Sequence, residues 1–390
     1  MTRESKTERR TTLWRLRRAA GAVALLLFSD PAAAADIKVG GYAKLDLIYS
    51  DRIAGGGGSK VAEFAGGASA VPVASDVDAK HGDAMVNARE SRFNLTTTGE
   101  SEGVKLKGFI EADFVTNEGS AYVSNSRGLR LRHAYGQATM GNGVFVLGGQ
   151  YWSNFQNNEQ FYNTVDFNGP AGQLYNRAPQ LRVGWKGGGV TATVSTEQSA
   201  VLTPDGSIPA VLAQSPALPM FTGKVHYAVS GFSVQAAVAY TQNRATTDRV
   251  DAFGGQFGVE VPVPLGKPVT LQAYVSYLDG VNHLANGDFG DAAVVGTEVK
   301  NIRTTGGYAG ATAQVAKKTA VSGYYGRREA ARAVVSTGED KLQESVHVNV
   351  VQKLWGGLEA GLEYQYGRRQ QFDGQSGEMN RVQGAMWFYF

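Results

Sequence analysis

The chain closes with Arg381-Val382-Gln383-Gly384-Ala385-Met386-Trp387-Phe388-Tyr389-Phe390. In an extended backbone, Val382, Gly384, Met386, Phe388 and Phe390 share one face, while Arg381, Gln383, Ala385, Trp387 and Tyr389 share the other. A strict period of two is the mark of a strand whose faces meet different surroundings. The question is whether the rest of the chain supplies partners of the same kind.

It does, repeatedly. Near the other end, Ile37, Val39, Gly41, Ala43, Leu45, Leu47 and Tyr49 alternate with Lys38, Tyr42, Lys44 and Asp46. The next segment, 88–98, sets Phe93 and Leu95 against Arg92, Asn94 and Thr96. In 104–114, Val104, Leu106, Ile110, Ala112 and Phe114 oppose Lys105, Lys107, Glu111 and Asp113. Strands with charges repeated along the same face cannot share a dry core. Further segments fall at 129–140, 144–152, 180–186, 190–197, 221–229, 232–241, 255–263, 269–277, 306–315, 319–326, 345–353, 358–367 and 379–390, making 16 in all.

The links between them alternate in length. Short ones lie at 99–103, 141–143, 187–189, 230–231, 264–268, 316–318 and 354–357. Long ones lie at 50–87, 115–128, 153–179, 198–220, 242–254, 278–305, 327–344 and 368–378. Seven short turns and eight long loops fit an even-stranded antiparallel barrel with both termini on one side. The fold expected is therefore all-β, a transmembrane antiparallel β-barrel of 16 strands. Phe145, Trp185, Phe221, Phe232 and Trp355 are placed near short turns, and Tyr49, Tyr151, Tyr240, Tyr277 and Tyr366 near long loops, as two aromatic girdles. The 50–87 loop is long enough to hide an extra hairpin.

Composition agrees. Fifty Gly and 43% hydrophobic residues suit a polar lumen better than one large dry core. No Cys is present, so no disulfide or thiol chemistry is available. After residue 35 no apolar run approaches the roughly 20 residues of a membrane helix. Residues 1–35 read as a secretory signal peptide. They carry Arg3, Lys6, Arg9, Arg10, Arg15, Arg17 and Arg18, then an apolar stretch from Ala19 to Phe28, then Ala33-Ala34-Ala35 before Asp36. Of 38 Lys and Arg, seven fall there; of 35 Asp and Glu, three do, which leaves 31 against 32 in the 36–390 barrel domain. No basic tail asks for nucleic acid.

Several stretches resemble the DcaP-like porins. They are Ala88-Arg89-Glu90-Ser91-Arg92-Phe93-Asn94-Leu95, Leu129-Arg130-Leu131-Arg132-His133-Ala134-Tyr135-Gly136, Gly149-Gln150-Tyr151-Trp152-Ser153, Asp166-Phe167-Asn168-Gly169-Pro170-Ala171-Gly172 and Pro179-Gln180-Leu181-Arg182. The aromatic end at Phe390 is similar to the sorting signal of outer-membrane barrels. The resemblance is dense over about residues 88–186 and loose beyond. It implies a homotrimer in outer-membrane lipid, with the third long loop folded inward, passing small anionic solutes such as dicarboxylates. Some members carry a helical extension before the barrel; here alternation begins at Ile37.

Parity places Arg92, Lys105, Lys107, Arg130, Arg132, Arg182 and Lys186, with Lys224, on the inward face. Such a basic stripe in a water-filled bore would focus field on a passing anion. Inward Asp46, Glu90, Glu111, Asp113 and Glu197 are set to pair with it and cancel part of that field. The 153–179 loop is the expected constriction, with Glu159, Tyr162 and Asp166 turned toward the basic wall and Asn168, in Asn168-Gly169-Pro170, making a bend. His81, His133, His226, His283 and His347 are scattered, and His226 and His347 fit solvated inward positions. Asp288, Asp291, Glu339 and Asp340 lack calcium-loop spacing. No enzyme motif, cofactor or metal site is expected. The reading is a passive diffusion channel; the rivals are a barrel enzyme with a catalytic cluster at one rim and a plugged structural or adhesive barrel.

Overall fold

The computed structural model describes residues 36–54, 67–76, 79–116, 128–157, 162–203, 218–246, 248–285 and 289–390. Its strands are β1 (Asp36–Ile53), β2 (Lys80–Asn87), β3 (Arg92–Ser101), β4 (Val104–Asp113), β5 (Arg130–Thr139), β6 (Val144–Trp152), β7 (Arg177–Gly187), β8 (Val190–Glu197), β9 (Leu218–Val229), β10 (Phe232–Arg244), β11 (Arg249–Pro264) and β12 (Pro268–Asp279). After these come β13 (Ala292–Val295), β14 (Glu298–Asn301), β15 (Arg303–Ala316), β16 (Thr319–Ala330), β17 (Asp340–Lys353), β18 (Leu358–Gln371) and β19 (Ser376–Tyr389). Every neighbouring pair is antiparallel, and β1 closes on β19 with Ala43 opposite Phe388 and Leu45 opposite Met386. Closure leaves no unpaired edge in the barrel wall among the described residues, as lipid demands.

Because β2 and β3 lie end to end along β1, they serve as one barrel strand. With the β13–β14 hairpin lying outside the wall, the barrel has sixteen strands. The second segment thus differs from the expected 88–98: it starts at Lys80, inside the long 50–87 loop, and breaks over residues 88–91. Polar groups explain the break. The Arg89 amide donates to Asn87 Oδ1 at 3.2 Å, and the Lys44 amide donates to Ser91 Oγ at 2.9 Å, a side chain standing in for a ladder carbonyl.

Other strands run further than alternation of apolar residues suggested. Loops 242–254, 327–344 and 368–378 shrink to 245–248, 331–339 and 372–375. Most of the added residues are polar, and they pair across strands. Gln242 donates to Asp251 at 2.9 Å, and Glu344 accepts from Arg327 at 3.0 Å and Arg368 at 3.3 Å. These rows lie at the long-loop ends of the strands, beyond the apolar belt.

The two faces separate as parity requires. Leu45, Leu47, Phe93, Leu95, Leu181, Val183, Val225, Val275 and Val382 are exposed on the outer wall. Lys44, Asp46, Arg132, Arg182, Asn349, Glu363, Arg381 and Gln383 are buried on the inner one. The girdles need three corrections. Phe221 pairs with Tyr240 and so belongs to the long-loop end. Phe145 and Tyr151 point inward, Phe145 against Gly184 and Tyr151 4.7 Å from Tyr135. Tyr49, Tyr240 and Tyr277 remain exposed near long loops, and Trp185 and Trp355 near short turns.

Candidate functional site: an arginine wall beside an inward loop

On β4 and β5 the register slips between Glu111 and Ala112: Glu111 faces His133, but Ala112 faces Leu131. The extra residue is a β-bulge, and it buries both Arg132 and His133. Arg132 then reaches two acids, with Nε 2.6 Å from Glu111 Oε1 and Nη1 2.9 Å from Asp113 Oδ2. Arg130 holds Asp113 through two parallel bonds of 2.9 and 2.7 Å. Arg92 approaches Glu90 at 3.3 Å, and Lys44 pairs with both Glu90 and Asp46.

Arg182 is held by neutral oxygens, those of Gln180 at 2.9 Å and the Trp152 carbonyl at 2.7 Å. Arg177, which falls within the expected 153–179 loop but begins β7, donates to the Tyr175 hydroxyl at 3.2 Å. Among the described residues no carboxylate forms an ion pair with Arg177. Aromatic rings interleave these cations. Arg177 lies 4.7 Å from the Trp152 ring and 5.0 Å from Tyr175; Arg182 lies 5.6 Å from Tyr151 and Arg130 5.6 Å from Phe167. Stacking fixes a guanidinium plane while leaving its N–H edges for a ligand.

The loop between β6 and β7 folds into the barrel and bonds around the far wall. Asn154 meets Thr222 at 2.9 Å, Asn157 meets Tyr308 at 2.7 Å, and the Asn163 amide meets Tyr324 at 3.2 Å. The Val165 amide donates to Glu363 at 2.8 Å, and Arg328 donates to the Gly172 carbonyl at 2.9 Å. Gly172 has φ +82°, and a Cβ there would meet the Arg327 carbonyl oxygen at 2.3 Å. Backbone approach that close requires glycine.

This placement corrects the loop's expected orientation. Asp166 faces away from the basic wall to Arg381 at 3.4 Å, and accepts from the Asn168 and Gly169 amides, both at 2.9 Å. Tyr162 donates to the Asn168 carbonyl at 2.9 Å and packs edge-on against Tyr308. Phe167 and Tyr175 are the loop residues that meet the arginines. Glu159 lies outside the described residues. Burial alone would push the Tyr175 hydroxyl up, but Arg177, Arg132, Arg130 and Arg92 together bring it below its ordinary 10.0.

Arg92, Arg130, Arg132 and Arg182 therefore stand together, with Arg177 added. Lys105 and Lys186 lie apart, opposite Thr139 and Thr191 near the short turns. Lys107 sits between them and the cluster, 5.5 Å from the Phe109 ring. Lys224 donates to the Gln156 carbonyl at 3.2 Å and so anchors the loop. Glu197 also serves the loop, accepting from the Asn154 amide at 2.8 Å. His347, expected in solvent, is fully buried between Glu363 at 2.9 Å and Ser345 at 3.1 Å. Among the described residues, no three His, Asp or Glu side chains converge on a point that could hold a metal.

A model of the Gram-negative porins matches residues 20–371. The chain belongs to the Gram-negative porin family. As a closed barrel of that family it is an outer-membrane channel. The outer-membrane channel DcaP of Acinetobacter baumannii superposes with a TM-score of 0.77 at 23% identity, covering 93% of this chain and 99% of that one. An anion-selective porin from Comamonas acidovorans superposes with a TM-score of 0.60 at 13% identity, covering 92% and 100%. OmpF of Salmonella typhi gives 0.62 at 11% identity, covering 91% and 97%. At these identities the likeness is one of fold, and it agrees with the resemblance to DcaP-like porins. No curated protein matches the porin in sequence.

Proposed function

We propose that this porin is a passive, non-catalytic channel that prefers small anions, carboxylates above all. The balance of charge at the constriction carries this reading. Arg92, Arg130, Arg132, Arg177 and Arg182 are five cations against the three carboxylates Glu90, Glu111 and Asp113, a surplus of two. Lys44 and Asp46 offset each other. Rings of Arg and Lys favour anions in a narrow pore, and low-dielectric walls focus their field. Guanidinium edges also match a carboxylate in bidentate geometry. The test is the reversal potential in a KCl gradient. Wild type should favour chloride, and Arg130→Gln with Arg132→Gln should lower the anion/cation ratio without closing the pore. Cation preference in the wild type overturns the reading.

The same proposal has the channel assemble as a homotrimer, as does one structural neighbour, OmpT of Vibrio cholerae in its trimer form. Over β3–β6 the outward positions Thr97, Gly108, Ala134, Gly136, Ala138 and Gly148 are small and form a shallow patch among the larger Phe93, Leu95, Ile110 and Leu131. That sector lacks the outward tyrosines found on β10, β12 and β16, which favours a protein neighbour over lipid. Residues 1–35, outside the described residues, are proposed to be removed as a signal peptide. N-terminal sequencing of the mature protein should then begin at Asp36.

A further inference from the structure

A cavity of about 390 Å³ lies on the long-loop side of the arginine wall. Arg177, Tyr175, Asn176, Gln198, Ser199 and His283 contribute to its lining. It is built from the start of β7, the residues just past β8, and the turn at Asn282–Leu284 that follows β12. Backbone contacts fix that turn against the inward loop: the Tyr175 amide donates to the Leu284 carbonyl at 2.9 Å, and Asn176 Nδ2 donates to the His283 carbonyl at 3.3 Å.

Two groups that can carry positive charge border this cavity. Arg177 forms no ion pair among the described residues, and beyond its bond to Tyr175 its stacked plane leaves further N–H groups for a ligand. His283 is nine-tenths buried, with Nδ1 3.1 Å from Asp291 Oδ2. Its Nε2 is buried with no partner among the described residues. Asp291 is itself fixed by the Leu202 amide at 2.7 Å and the His283 amide at 2.9 Å. A carboxylate so held orients the imidazole and supports its protonated form, as in other carboxylate–histidine pairs.

We propose that this cavity is a capture site for small carboxylates, held by Arg177 beside the protonatable ring of His283 before they pass the arginine wall, and that it binds more tightly as His283 gains a proton. The site rests on the anion reading above but adds a place and a control to it. Its size suits a solute of a few heavy atoms. Around His283, the charged and titratable groups are Asp291 from the turn side, Glu197 from the end of β8, Arg177 from β7 and Tyr175 from the inward loop. Burial opposes the imidazolium, but Asp291 and Glu197 hold His283 above its ordinary 6.5. Binding is therefore strongest at acid pH and fades as pH rises through that raised value.

Oxalate is a suitable probe, because it stays dianionic while histidine titrates. Single channels are recorded at about pH 5.5 and about pH 8 with oxalate added from the long-loop side. Wild type should show blockades lasting about threefold longer at the lower pH. In His283→Gln that difference should vanish, with unit conductance in KCl reporting that the variant barrel has assembled. Wild-type blockades of equal length at both pH values overturn the proposal without any variant, as does an undiminished difference in His283→Gln. Cation preference of the wild type in KCl would instead defeat the anion reading, so the two failures are distinguishable.

Discussion

Arg130 and Asp113 face each other across β4 and β5 in a two-pronged pair, Nε to Oδ1 at 2.9 Å and Nη2 to Oδ2 at 2.7 Å. Asp113 is fully buried and also accepts from Arg132 at 2.9 Å. One carboxylate thus aligns two guanidiniums while cancelling half their charge.

Replacing Asp113 with Asn tests both roles. The surplus of two positive charges becomes three, so the anion/cation permeability ratio should rise roughly twofold at low salt and less at 1 M, where the Debye length is about 3 Å. Loss of charge-assisted bonds should cost about 1–3 kcal/mol locally, seen as noisier open-channel current. A lower anion ratio in Asp113→Asn would mean that the arginines need their partner to face the bore.

Gly172 tests whether the inward loop sets the bore. At φ +82° any side chain is strained by about 1–3 kcal/mol, and a Cβ would lie 2.6 Å from the Gly307 amide nitrogen. Gly172→Val should lift the loop from β15 and β16, raising unit conductance and weakening selectivity. Conductance equal to wild type, with quiet current, would show the loop seated by its other contacts alone.

Much of this was legible in the sequence, and what was not has physical causes. Alternation in 381–390 and 104–114 gave the wall and its parity, since one slipped residue would turn Lys105 and Lys107 toward lipid. It also brought Arg92, Arg130, Arg132 and Arg182 together. The bulge that turns His133 inward leaves no trace in hydropathy, because an extra residue in a polar-faced strand costs little. The break at 88–91 depends on Ser91 reaching the backbone of a different strand. The loop's course was hidden because Asp166 finds its cation 215 residues away, on Arg381. Arg177 was missed because its partners are the rings of Trp152 and Tyr175, not a charge.

The proposed subunit interface can be tested by size alone. Gly136 and Gly148 face each other on β5 and β6, and a Cβ on either meets no atom within 4 Å. Gly136→Phe with Gly148→Phe should leave the single barrel intact yet abolish the trimer band in unheated gels and in crosslinking. A persistent trimer would move the interface to another sector of the wall.

Tyr175 gives the alkaline limit of selectivity. Four arginines hold its hydroxyl below the ordinary 10.0, against the effect of burial. A depressed acid is one whose charged form the native state prefers, so the fold gains stability as pH rises through the Tyr175 value, up to about 10 where the unfolded chain also ionises. The same ionisation puts a phenolate beside Arg177, and the surplus of two positive charges falls to one. Anion preference should therefore decline reversibly with rising pH, with a midpoint below 10. In Tyr175→Phe that step should be absent, and any decline should wait for other groups at higher pH. The measurement is the reversal potential in a KCl gradient, taken at intervals from neutral to alkaline pH on both proteins. Matching curves for the two would mean that Tyr175 stays protonated throughout and that the arginines do not act on it as their distances imply.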